Sequence, residues 1–157
     1  WGRLALKRVR SATTLKEVWE AYRDSPDDSK AQQVGLKKLA KLCITPKKAK
    51  EMYSHCESYH TGYYGSEARQ IILEKWDRIA LKKVRSATTL KKVQEAYRYS
   101  RNYSEARLVA LEKWTELALK RVRSATTLER VRKTYKDSPY GSEEVQRVAL
   151  KKMYDLF

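Results

Sequence analysis

Arg-Ser-Ala-Thr-Thr-Leu stands at 10–15, again at 85–90 and again at 123–128. Each copy follows a basic, apolar-periodic stretch: Ala5-Leu6-Lys7-Arg8-Val9, Ala80-Leu81-Lys82-Lys83-Val84 and Ala118-Leu119-Lys120-Arg121-Val122. Thr88 and Thr126 are 38 residues apart and Thr13 and Thr88 are 75, nearly twice that, so a degenerate copy is expected midway. It is found as Thr45-Pro46-Lys47-Lys48-Ala49-Lys50-Glu51-Met52-Tyr53, in register with Thr89 to Tyr97. This copy has lost about two helical turns before Thr45 and gained a longer loop after Tyr53.

Each unit reads as two helices. Helix A starts after Thr14, Thr45, Thr89 or Thr127, whose hydroxyl can accept from a free N–H of the first turn. Pro46 suits the first helical position, where its missing N–H costs nothing. Apolar residues then fall at Leu15, Val18 and Tyr22, at Leu90, Val93 and Tyr97, and at Leu128, Val131 and Tyr135, one helical face in each case. Helix B starts at Ser29, Ser66, Ser104 or Ser142, after turn-forming stretches such as Asp-Ser-Pro-Tyr-Gly-Ser. It carries a wide apolar arc: Val109, Ala110, Leu111, Trp114, Leu117, Ala118 and Val122 in the third unit. So broad a face predicts packing on two sides, as in stacked helix pairs.

These spacings predict an all-α fold of about nine helices, a right-handed α-solenoid of stacked antiparallel helix pairs. The expected units are a partial helix over 1–12 and repeats over 13–43, 44–86, 87–124 and 125–157, all in one domain. Trp1 is in register with Trp76 and Trp114, so the chain opens midway through a helix B and closes within another. These Trp residues, with Tyr22, Tyr53, Tyr97 and Tyr135, are expected in the core. Neither end reads as a polar cap, which suggests end-to-end self-association.

The pattern resembles the broad class of α-solenoid repeat proteins, which includes tetratricopeptide, pentatricopeptide and HEAT repeats. The resemblance spans the chain but is architectural: the tetratricopeptide Trp, Leu-Gly and Tyr signature is absent, and the period is longer. No functional residue is carried over from it.

Composition agrees with a helical, foldable chain. Of 157 residues 41% are hydrophobic, and only 5 Gly and 3 Pro interrupt. The longest aliphatic run is Ile71-Ile72-Leu73, far short of a membrane span. Two Cys make no disulfide framework and favour a reducing, intracellular compartment.

Lys and Arg number 35 against 19 Asp and Glu, a formal charge of +16. Lys7, Arg8, Arg10, Lys82, Lys83, Arg85, Lys120, Arg121 and Arg123 end a helix B, where cations complement its negative pole. That account fails for Lys16, Lys47, Lys48, Lys91, Lys92 and Arg130, which fall in the first turn of a helix A. Both groups meet at the junction between repeats. A row of cations there suits phosphates, with affinity but no base specificity.

Asp24, Asp27, Asp28 and Asp137 lie in the A-to-B turns with Tyr63, Tyr64, Tyr99, Tyr103 and Tyr140. Such tyrosines half-bury over helix ends, or else stack on unpaired bases or anchor a protein. Trp19 is in register with Lys50, Gln94 and Arg132, a variability that predicts exposure. Trp19, Tyr63 and Tyr64 are the candidates for stacking.

Cys43, His55, Cys56 and His60 cluster in the second unit, but no standard zinc spacing is matched and no metal is expected. No Gly-rich phosphate loop, nucleophile elbow or HExxH pattern is present. The sequence therefore predicts a non-enzymatic module without cofactor that binds nucleic acid, RNA before DNA. The alternative is a protein-interaction scaffold or assembly subunit whose basic edge meets an acidic protein.

Overall fold

The computed structural model describes residues 1–27, 29–58 and 64–157, with the side chains at 57, 58 and 64–66 excepted. Among the described residues it contains nine α-helices and no strand: α1 (Gly2–Ser11), α2 (Leu15–Arg23), α3 (Lys30–Leu42), α4 (Pro46–Ser58), α5 (Tyr64–Ser86), α6 (Leu90–Tyr99), α7 (Glu105–Ser124), α8 (Leu128–Lys136) and α9 (Glu143–Asp155). None of them is long and apolar enough to cross a membrane. The chain divides into two compact units, Trp1–Ala80 and Leu81–Phe157, with the division inside α5.

All four threonine starts hold. The hydroxyls of Thr14, Thr45, Thr89 and Thr127 accept from the N–H of Glu17, Lys48, Lys92 and Arg130 at 3.2 to 3.4 Å. Ser29 and Ser104 do the same for α3 and α7. Helix α5 departs from expectation by starting at Tyr64, two residues ahead of Ser66, and Ser142 precedes α9 without a side-chain cap bond. The degenerate copy is shortened as expected: α3 has 13 residues against 20 in α7.

Three of the junctions build a small three-helix core. In the first unit Val9 ends α1 against Ala21 of α2 and Ala31 of α3. In the second, Val84 meets Ala96 and Ala110, while Val122 meets Val131, Val145 and Ala149. The valines are fully buried. Small side chains recur here because three helices converge within one side-chain diameter. Ala12, Cys43, Ala87 and Ala125 occupy the same place after each helix B, and all are buried. Helix A then ends on a serine that donates back to the last turn: Ser25 to the Ala21 carbonyl at 2.6 Å, Ser100 to that of Ala96 at 2.7 Å. Cys56 fills the register position of that serine.

A lysine two helices onward closes the carbonyl end of helix B. Lys38 of α3 donates to the carbonyls of Val9, Arg10 and Ala12 at 3.1, 2.5 and 2.7 Å. Lys113 of α7 repeats this at Val84, Arg85 and Ala87, at 3.1, 2.7 and 3.4 Å. A helix end leaves carbonyls without partners, and an ammonium with three donors answers three of them at once.

The expected core positions divide. Tyr22 is buried because Gly35 leaves room: a Cβ at Gly35 would stand 3.1 Å from the Tyr22 Cβ. Tyr97 is only half-buried, with the Trp114 ring edge-on at 5.4 Å. Tyr135 is 37% exposed, and Met153 and Gln146 stand in register with the Trp114 and Arg107 that flank Tyr97. Trp1 is fully exposed as the residue preceding α1.

Two predictions follow from this packing. Lys113→Met, which keeps the stem and deletes the ammonium, should lower stability by about 2 kcal/mol in urea unfolding, the order expected for charged hydrogen bonds. Conversion of the exposed Lys120 should change little by comparison. The second concerns alkali. Burial pushes the Cys43 thiol from 9.0 up to about 11 and the Tyr22 phenol from 10.0 up to about 12. With the folded values raised, this stabilisation is complete below the unfolded ones and is lost as pH climbs through the folded ones. The urea midpoint should therefore hold to about pH 9 and fall toward pH 12, and Cys43→Ala should delay the onset.

Candidate nucleic-acid interface

The first turn of helix A decides the chemistry of each junction. In α2 the third helical residue is Glu17, whose carboxylate accepts from the N–H groups of Thr13 at 2.8 Å and Thr14 at 3.1 Å. Together with the Thr14 cap this completes a reciprocal capping box. Those backbone hydrogen bonds hold the Glu17 carboxyl below its usual value. In α4, α6 and α8 the same third position is Lys48, Lys92 and Arg130, and the reciprocal bond is missing. Helices α4 and α6 have no acidic residue anywhere in the first turn, only Lys47 with Lys48 and Lys91 with Lys92.

Fourteen cations were expected at the interface, and among the described residues they divide into two groups. Arg8 pairs with Asp24 at 2.9 Å, Lys83 with Glu95 at 2.7 Å and Arg85 with Glu105 at 3.2 Å. Lys83 holds the Glu95 carboxyl below its usual value by hydrogen bond and charge. These are surface pairs in which both partners keep much of their solvent contact, worth at most about 1 kcal/mol and easily exchanged. The other eleven, Lys7, Arg10, Lys47, Lys48, Lys82, Lys91, Lys92, Lys120, Arg121, Arg123 and Arg130, are exposed and form no ion pair or side-chain hydrogen bond.

Within the first unit two junctions meet. Thr13, Thr14, Leu15 and Lys16 line a cavity of about 420 Å³ together with Leu42, Lys48, Met52 and His55. Lys16 and Lys48 therefore face one hollow from two successive helix starts, with Glu51 as the carboxylate on its wall. The second unit holds the junctions α5–α6 and α7–α8, carrying Lys82, Lys91 and Lys92 on one and Lys120, Arg121, Arg123 and Arg130 on the other.

The stacking candidates fare differently. Trp19 is 6% exposed and stacks on Tyr22 at 5.6 Å, so its variability across the repeats does not signal exposure. The position faces the neighbouring repeat: its counterpart Gln94 donates to the Asp137 carbonyl at 3.1 Å, beside the Trp114 indole N–H at 2.8 Å. The Trp19 indole N–H is buried and has no hydrogen-bond partner among the described residues. Tyr63 and the Tyr64 side chain lie outside the described residues. Tyr103 and Tyr140 do not pack over helix ends but stand wholly exposed.

Cys43 and Cys56 are buried and in no disulfide, at an alanine and a serine position of the repeat, which accounts for both by packing. His60 lies outside the described residues, and no group of three metal-binding side chains exists among the described ones. Sequence reasoning missed the clamp formed by Lys38 and Lys113. Its signal was a lysine recurring at Lys38, Lys75, Lys113 and Lys152 inside an otherwise apolar arc. No protein-family model matches this chain, and no curated protein and no solved structure matches it.

Proposed function

We propose that the chain is a non-enzymatic helical-repeat module of the α-solenoid kind that binds nucleic acid, RNA before DNA, through the basic junctions between its repeats. The observation that carries this reading is the cation at the third position of α4, α6 and α8, where a glutamate would complete a capping box as Glu17 does in α2. Folding gains nothing from Lys48, Lys92 and Arg130 at the positive pole of a helix. Phosphate does, and exposed, unpaired side chains meet it with the least desolvation. The first-turn backbone N–H groups add to the same attraction.

A second reading, assembly through protein contacts, is favoured by a separate observation. Leu150, Tyr154 and Phe157 are largely exposed on or just after α9, as are Trp1 and Leu4 at the other end of the chain. Apolar groups so placed suit a protein partner or end-to-end association.

Fluorescence anisotropy with single- and double-stranded RNA and DNA across a salt series tests the leading reading. Binding should weaken steeply with salt. Replacing Lys47, Lys91, Lys120 and Arg121 with Glu should flatten the single-strand slope by about 3, at roughly 0.7 per phosphate contact, and weaken binding at least tenfold. Absence of binding at low salt, or an unchanged slope in the variant, contradicts it. Concentration-dependent oligomers without nucleic acid would instead favour assembly.

A further inference from the structure

Tyr103 occupies a backbone conformation that the neighbouring repeat assigns to glycine. Its φ is +61°, and Gly141, likewise the residue before the N-cap of a helix B, has φ +82°. A side chain at positive φ brings its Cβ against the backbone, a penalty glycine escapes. Burial does not offset it here, because Tyr103 is 97% exposed. A strained residue that contributes nothing to packing points to a role outside folding.

Beside it Tyr97, Asn102, Arg107, Leu108 and Leu111 complete the lining of a cavity of about 350 Å³. The Arg107 guanidinium lies over the Tyr97 ring at 4.1 Å and donates to the Ser100 carbonyl at 3.3 Å, which fixes its plane. Leu108 is 59% exposed and Leu111 is exposed as well. The walls thus offer two phenol rings, one held cation, one side-chain amide and apolar area, with no carboxylate.

We propose that this cavity receives an unpaired base of a single-stranded nucleic acid, stacked on Tyr103, with Asn102 and Arg107 reaching its edge. The inference rests on the nucleic-acid reading above and narrows it to single strands. Flat rings and a planar cation match the face of a base, and an amide matches the mixed donors and acceptors of its edge. The absence of a carboxylate suits an anionic chain, whereas a base inside a duplex has no free face to offer. Helix α6, of 10 residues, sets the cavity about 15 Å from Lys91 and Lys92, a span of a few nucleotides.

The test compares the full chain with Tyr103→Gly and Tyr103→Phe, using a short labelled single-stranded RNA and the duplex of the same length. Tyr103→Gly should weaken single-strand binding about tenfold and leave the duplex unchanged, while Tyr103→Phe keeps the parent affinity. Its thermal midpoint should be no lower than the parent's, since glycine relieves the strain, so lost binding is not lost fold. Equal losses on strand and duplex overturn the inference. So does salt-dependent binding that Tyr103→Gly leaves intact, and in that case the basic-junction reading survives. If the parent binds neither probe, both readings fall. If Tyr103→Gly only dissolves an oligomer, the cavity is a contact between copies of the chain and the inference is overturned.

Discussion

Every repeat junction must end one helix and begin the next within three or four residues, and both ends expose backbone groups that need partners. The ammonium of Lys38 answers the carbonyls at Val9, Arg10 and Ala12, and that of Lys113 answers Val84, Arg85 and Ala87. A threonine hydroxyl answers the N–H side. Because the lysine comes from a helix two elements later, this bond joins helices distant in sequence. The local caps and the tertiary packing are therefore one constraint. At both clamped junctions one of the accepting carbonyls belongs to a buried alanine, Ala12 or Ala87.

On this framework the cations at the third helical position stand out as a departure from what stability favours. Glu17 shows the arrangement that satisfies the most backbone groups, with two N–H donors bound by one carboxylate. Lys48, Lys92 and Arg130 keep the threonine half of the box and give up the other half. At the Lys92 junction the Lys113 clamp offsets part of that loss, because the carbonyl side is held there as well. Lys38 and Lys113 lie folded onto carbonyls, Arg8, Lys83 and Arg85 meet carboxylates, and the other eleven junction cations extend into solvent.

The period, the helix starts at Leu15, Pro46, Leu90 and Leu128 and the short α3 were legible in the sequence, because threonine caps and apolar spacing are local signals. Burial of individual aromatics was not. Tyr22, Tyr97 and Tyr135 share one sequence register, yet Tyr22 packs against Gly35 and Tyr97 against Trp114, residues of other helices, while Tyr135 is exposed. Trp19 misled for the same reason: it is buried and stacked on Tyr22, a packing that its variability across the repeats does not reveal. The basic junctions were legible as charge, but which cations are engaged depends on where Asp24, Glu95 and Glu105 arrive in space. The positive φ of Tyr103 had no signature, since it sits where a glycine would have announced the turn.

On the proposed function, stability is given up at these junctions for the sake of anion binding. The most direct measurement is thermal unfolding of the variant Lys48→Glu, Lys92→Glu and Arg130→Glu, with and without RNA at low salt. Without RNA the midpoint should be higher than the parent's, from about 0.3–1 kcal/mol per restored helix start, and added RNA should raise it less than it raises the parent's. A variant less stable than the parent, or one stabilised by RNA as strongly, would contradict that reading.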